Sequence, residues 1–325
     1  MDLIIKPTEA CNFKCTFCSS TDISEENAKV LDINEIYNFI DDNPDLATII
    51  VNGGDPLMLD PKYYWGIIDK LEAVGSKSTL SFTTNLWPFY VKPEKWKKLF
   101  LHPRVGVTTS FQYGGGRLKG DRTIFTEEDF WNVSDKMLKE IGYRPDFISV
   151  VVSEELDLAI KNVELAKEMD VECKLNYALA SGVQGEPLLL ADIYKVYIEI
   201  YERGLAKWEY NTKDIIKSMN NEDTACPRNR SCADGIRCIQ PDGDQYTCGA
   251  FGDDKDYQLP LTFKDDPALL SMTNMCFTCS MFNLCNGCAK TIKDHKRHKI
   301  NEKHCFEMKQ LEKKLMEMKD SGLNV

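Results

Sequence analysis

Up to about residue 205 the chain alternates short runs rich in β-branched and aromatic residues with longer segments of helical period. This alternation constrains the fold more than any other feature of the 325 residues. The expected strands are DLIIK, TIIVNGG, TLSFTTN, VGVTTSF, FISVVVS and ECKLNYAL, and the expected helices lie near 32–42, 61–74, 93–101, 127–141, 157–169 and 191–203. Strands separated by helices return to one sheet in parallel, so about six such units predict a parallel sheet covered by helices. The expectation is an α/β fold built on an open, partial (β/α)6 barrel of the TIM-like kind over 1–205. In such a fold the functional groups gather at the carboxyl ends of the strands and in the loops that follow.

After about residue 220 the character changes, and nine of the thirteen cysteines fall between 226 and 305. The expected organisation is the barrel over 1–205, a bridging region over 206–225 and a small metal-organised domain over 226–325. Within it CIQPDGDQYTC reads as a β-hairpin, because PDG is a turn signal between two strand-like runs. A last segment, about 301–319, sets Phe306, Leu311, Leu315 and Met318 near helical spacing and is expected to dock on the rest as a capping helix. The start of the sequence lacks a basic segment followed by a long apolar one, and no apolar stretch approaches the roughly 20 residues needed to span a bilayer. The expected compartment is therefore the cytoplasm, where an odd number of cysteines argues for metal or cluster ligation over disulfides. A formal net charge of -11 argues against a broad nucleic-acid surface and against nucleic acid as a partner.

Just after the first strand comes ACNFKCTFCS, which places Cys11, Cys15 and Cys18 in CxxxCxxC spacing. Thiolates bind zinc and iron–sulfur clusters, usually four at a time, and here the loop supplies three. A zinc knuckle completed by a distant cysteine is one reading. The other is a resemblance: CNFKCTFC after the first strand of a βα domain resembles the signature of the radical SAM superfamily. That resemblance implies a 4Fe–4S cluster held by the three cysteines, with the amino and carboxylate groups of S-adenosylmethionine on the fourth iron. Cleavage of the sulfonium then yields a 5'-deoxyadenosyl radical that abstracts hydrogen from a C–H bond. Phe17 matches the aromatic residue common between the last two cysteines. NGGDP resembles the family's GGE motif and assigns Gly53, Gly54 and Asp55 to the methionine amino group, with Asp where Glu is usual. Asn85 ends the third strand in the family's position. SFQYGGGRLKGDR resembles a segment of the form SxDGxxxxHDxxR, which implies that Ser110 meets the cofactor ribose and Arg122 its carboxylate. Gln112, Leu118 and Lys119 depart from the motif, and taken alone GGGRLKGDR also reads as a flexible exposed loop.

The later cysteines resemble the SPASM domain, with CxxC where its final pair is CxxxC. The resemblance implies two auxiliary 4Fe–4S clusters, one on Cys226, Cys232, Cys248 and Cys288, the other on Cys276, Cys279, Cys285 and Cys305. Paired CxxC motifs also describe zinc ribbons, so a zinc-binding interaction protein is the alternative from another class. Cys173 is expected to pack in the sheet, whereas Cys238, on the hairpin, is a candidate hydrogen donor to a substrate radical as well as a packing residue. The histidines of DHKRHKINEKHC read as a solvated surface. For function the resemblance implies radical modification of a peptide or protein, such as crosslinking, epimerisation or oxidation. A small-molecule radical dehydrogenase or mutase is the second reading. It also implies an external electron donor such as flavodoxin or ferredoxin. Gly249 stands where formylglycine-forming relatives carry Asp, which weighs against that oxidation.

Overall fold

A computed structural model of the chain describes residues 1–19, 28–178, 188–220, 235–249 and 294–321, with isolated positions 222, 224, 255, 258–259, 276, 278–281 and 285. In chain order its barrel elements are β1 (Asp2–Ile5), α1 (Ile33–Asp42), β2 (Thr48–Val51), α2 (Pro61–Ala73), β3 (Thr79–Thr83), α3 (Trp87–Val91) and α4 (Pro93–Phe100). There follow β4 (Val105–Ser110), α5 (Glu127–Ile141), β5 (Phe147–Val151), α6 (Ala159–Met169), β6 (Cys173–Tyr177), α7 (Leu190–Glu202) and α8 (Tyr210–Met219). Every expected strand and helix of the alternating region forms. α3 and α8 are additional; α8 lies in the expected bridging region and packs on β6 and α7.

The strands lie in the order β6-β5-β4-β3-β2-β1-β7-β8, where β7 (Ile236–Ile239) and β8 (Gln245–Tyr246) form the expected hairpin. From β6 through β7 all neighbours are parallel, and only β7 and β8 run antiparallel. The hairpin thus does more than decorate a second region: β7 adds to the barrel sheet in register with β1, Ile4 opposite Cys238.

Strand alternation decides which face is core. Leu3 and Ile5, Ile49 and Val51, Leu80 and Phe82, and Cys173 and Leu175 are buried on the helix-covered face. On the opposite, inner face Ile50, Ser81, Thr108, Ile148 and Lys174 are half-buried, while Ile4 is buried there. On the core side Phe111 stacks on Phe130 at 4.6 Å, and Phe130 meets Phe147 edge-on at 5.0 Å, which locks α5 to β4 and β5. Thr126 and Asp129 cap α5 reciprocally, and Gly142 ends it at φ 105, the left-handed conformation a helix stop favours.

The sheet edge at β6 is closed by a segment rather than a strand. Cys173 bridges Glu209, whose buried carboxylate accepts from the backbone N–H of Leu175 at 2.8 Å and of Asn211 at 3.1 Å, and from Thr212. The last helix, α9 (Asn301–Ser321), docks on α7 and α8 as expected of a capping helix. Its buried stripe, however, is His304, Met308, Leu315 and Met318, and Phe306 is 64% exposed. The cause is helical phase: 304, 308, 315 and 318 share one face, from which 306 is turned away. No helix among the described residues is long and apolar enough to cross a membrane.

Candidate functional site

The three-cysteine loop is held by the ends of three strands. At β2, Gly54 donates to Thr8 O at 2.9 Å and Asp55 N to Ala10 O at 2.7 Å. Beyond β3, the Asn85 side chain donates to Asn12 Oδ1 at 2.8 Å, inside the loop itself. Beyond β4, Lys14 N donates to Leu118 O at 2.8 Å and Thr16 N to Gly116 O at 2.9 Å. Residues 114–120 are therefore no free loop: they run as a second strand of a small ladder against the cysteine loop, with Phe13 bridged to Lys119.

Gly53 and Gly54 explain why the turn after β2 is glycine-rich. Gly53 takes φ 118, and a Cβ on Gly54 would collide with the backbone carbonyls of Glu9 and Ala10, just ahead of Cys11. Gly54→Ala should therefore displace the cysteine loop, costing about 1–3 kcal/mol of stability. It should also cut S-adenosylmethionine cleavage on the order of 100-fold through misplacement alone. Thermal melting and 5'-deoxyadenosine yield check both; unchanged yield would show that the loop yields without cost.

Asp55 is buried and accepts from Leu57 N at 2.9 Å, Asn85 N at 2.8 Å and Thr84 Oγ1 at 2.9 Å. Burial pushes its carboxyl up to about 6 against these hydrogen bonds. In this chain the side chain braces β2 to β3, and its geometry is that of a scaffold for the neighbouring glycines. Cys11 is buried beside it; burial first, then the Asp55 charge, push that thiol far up. A thiolate at Cys11 therefore needs a cation beside it, which a ligated iron would supply. Cys15 and Cys18 are half-buried, and Phe17 packs against Val152 and Ala178 at the ends of β5 and β6.

The structure separates the two arginines of the β4 loop. Arg122, at the motif position, is exposed with φ 66. Arg117, which the spacing passed over, is buried under the cysteine loop. It donates to Ser110 Oγ at 2.9 Å and twice to Gln112 Oε1, at 3.2 and 2.7 Å, with the Phe17 ring 5.2 Å away. Burial lowers its pKa, while thiolate charge at Cys15, Cys11 and Cys18 works the other way. Three thiols, a backbone-tight glycine turn and a buried guanidinium fit an iron–sulfur cluster carrying an amino-acid ligand.

On the other side of β1, Cys238 is fully buried with Ile4 and Tyr246 on the inner face of the sheet. Burial pushes its thiol up to about 11, opposed by Lys6, which follows Ile4 on the same face and is itself buried. Cys248 packs against this group. Cys276, Cys279 and Cys305 lie within electrostatic reach of one another. Cys285 Sγ meets His304 Nε2 at 3.3 Å. His295 and His304 are buried, with rings 4.5 Å apart, so this stretch is no solvated surface. The docking of α9 covers them, and burial takes His295 down to about 4. Cys173 is buried in the sheet with Sγ 3.5 Å from Ser149 Oγ. Cys226, Cys232 and Cys288 lie outside the described residues.

Residues 5–188 match the sequence profile of the Radical SAM superfamily. The chain belongs to that superfamily and is an enzyme of the class, which brings with it a 4Fe–4S cluster and S-adenosylmethionine. Among solved structures, polyhistidine-tagged anSMEcpe with bound AdoMet is similar at TM-score 0.67 and 16% identity, over 99% of this chain and 96% of that one. Native anSMEcpe with AdoMet and the Kp18Cys peptide gives TM-score 0.66 at 15% identity, over 98% and 99% of the two chains. Streptococcus suis SuiB bound to its precursor peptide SuiA gives 0.55 at 16% identity, over 88% of this chain and 70% of that one. At such identities the likeness is one of fold.

Proposed function

We propose that this enzyme modifies a side chain or backbone carbon of a peptide or protein by radical chemistry. The observation that carries the reading is the three-cysteine loop, closed onto the ends of β2, β3 and β4 with Arg117 beneath it. When bound, the cluster and S-adenosylmethionine supply the radical that removes a substrate hydrogen. A peptide as substrate draws its support from the solved neighbours, two of which were captured with peptides. In this reading Cys11, Cys15 and Cys18 hold the first cluster, Gly53, Gly54, Asn85 and Ser110 position the cofactor, and Asp55 braces them. Cys226, Cys232, Cys248 and Cys288 hold one auxiliary cluster; Cys276, Cys279, Cys285 and Cys305 hold the other. An external donor of the flavodoxin or ferredoxin kind supplies electrons, and the cysteine-rich part after residue 226 forms a SPASM unit.

Among the peptide reactions, epimerisation is favoured by Cys238. A thiol raised to about 11 keeps its hydrogen at neutral pH, as a hydrogen-atom donor must. Its S–H bond would break as the new C–H bond forms at the substrate radical. One electron from the external donor and one proton from solvent then restore the thiol. The test is reduced enzyme with candidate peptides in deuterated solvent. One solvent deuteron at an inverted α-carbon is expected, lost in Cys238→Ala. A product two hydrogens lighter with no deuteron would assign crosslinking or dehydrogenation instead, and turnover of small molecules alone would overturn the peptide reading.

A further inference from the structure

Across the carboxyl ends of β7, β1 and β2 runs a row of polar residues, Gln240, Lys6 and Asn52, each one position beyond the last paired residue of its strand. Ile4 and Cys238 face the interior of the sheet, so Lys6 and Gln240, two residues further on, share that face. Both are buried, at 8% and 5% exposure. Among the described residues no ion pair or hydrogen bond engages the Lys6 ammonium. Its charge acts on Cys238, whose thiol, pushed up to about 11 by burial, keeps its proton and offers no counter-charge. Asp55, two residues past Gly53, gives its acceptors to Leu57, Thr84 and Asn85. The row lacks a donor as well as an anion: Asn52 Oδ1 is buried, and none reaches it among the described residues. A buried ammonium with neither partner nor counter-charge is costly, so the position points to an anion that arrives with a ligand. Its place says which ligand. A Cβ on Gly53 would stand 3.2 Å from Lys6 Cα and 3.3 Å from Lys6 Cβ. Lys6 therefore lies between the glycine turn assigned to the cofactor and the Cys238 thiol, where a substrate must sit to meet both.

We infer that Lys6, flanked by Asn52 and Gln240, binds a carboxylate of the peptide substrate close to the carbon that is attacked. The inference rests on the peptide reading above and adds a substrate class to it: peptides with an acidic group beside the modified residue. An Asp or Glu side chain and the peptide's own C-terminus carry the same chemistry, and either satisfies the site. With a net charge of -11 the chain as a whole repels acidic peptides, so a preference for them would be local to this lysine.

The test is selection from two random peptide libraries, one with amidated and one with free C-termini, by the anaerobically reconstituted full chain with S-adenosylmethionine. Mass spectrometry reads the retained peptides. For the parent they should be enriched roughly 10- to 100-fold in Asp or Glu over Asn or Gln, the worth of a charge-assisted pair. If the terminal carboxylate is the source, the free-acid library alone should be retained. Lys6→Met should remove the preference, Lys6→Arg should keep most of it, and Lys6→Glu should turn it toward Lys and Arg. A parent that retains peptides without regard to their acids, or a Lys6→Met chain with the parent's preference, would overturn the inference. Loss of about four irons per chain in Lys6→Met would also overturn it, by assigning the lysine to an auxiliary cluster. If Lys6→Met does not fold, Lys6→Gln, closer in length and still polar, decides by the same enrichment. A parent that retains no peptide from either library would instead overturn the peptide reading beneath it.

Discussion

Replacing Cys11, Cys15 and Cys18 together by Ala is expected to end the formation of 5'-deoxyadenosine. It should also lower reconstituted iron from about twelve to about eight per chain. The loop that carries the cysteines is fixed by its backbone, through Lys14 N to Leu118 O and Thr16 N to Gly116 O, and by the Asn12–Asn85 side-chain pair. Within the loop Cys11 Sγ accepts from Phe13 N at 3.3 Å. The triple variant should therefore keep its fold and its C-terminal iron while losing the one site that can hold S-adenosylmethionine. Anaerobic reconstitution, iron assay and chromatography of nucleoside products after chemical reduction measure all three at once. Cleavage that persists in the variant would remove these cysteines from the reaction. A chain that took up zinc and no iron would restore the zinc-binding alternative.

How far the sequence leads is clearest where neighbouring features differ. The six βα units were legible because each strand and helix carries its own period. Every one is a local decision made by residues a few positions apart. The place of the hairpin was not legible. Its turn residues announce β7 and β8, but nothing in CIQ says that β7 pairs in parallel with β1, some 230 residues earlier in the chain. The gathering of Cys11, Cys15 and Cys18 on one loop was legible because their spacing within ACNFKCTFCS is itself the signal. The burial of Arg117 was not, because motif spacing counts residues, whereas the loop's course depends on the left-handed backbone at Gly114 and on the close packing of Gly116 against Thr16 and Phe17. His295 and His304 misled in the opposite sense. A charged, lysine-rich stretch suggests water, yet the same stretch is amphipathic once α9 has a surface on α7 to meet. Glu209 gave no signal at all, since one glutamate in AKWEYNT is indistinguishable from a surface residue until β6 is placed beside it.

Glu209→Ala is expected to destabilise the chain by about 3–5 kcal/mol, a large part of the 5–15 kcal/mol that holds a typical domain folded. The carboxylate is fully buried and satisfies four donors: Leu175 N at 2.8 Å, Asn211 N at 3.1 Å, Thr212 N at 2.5 Å and Thr212 Oγ1 at 2.7 Å. Three belong to the first turn of α8 and one to β6, so a single side chain ties the last barrel strand to the helix beyond it. Removing it leaves buried N–H groups with no acceptor, and each such group costs about 1–3 kcal/mol, less than additively because the segment can relax. Glu209→Gln keeps one acceptor oxygen and should lose about half as much. The two variants also differ from the parent in pH dependence. Burial raises the Glu209 pKa above its ordinary 4.5, outweighing the hydrogen bonds that favour the charged form. Just above pH 4.5 the folded chain therefore keeps a proton that the unfolded chain has released. Stability from this group must fall as pH rises from there through the raised value, and level off beyond it. Urea unfolding across roughly pH 4–8 should show that decline in the parent and lack it in Glu209→Gln. A decline that survives in the glutamine variant would place the proton on another buried acid, such as Asp214. An unchanged urea midpoint in Glu209→Ala would show that the β6 edge is closed by packing alone.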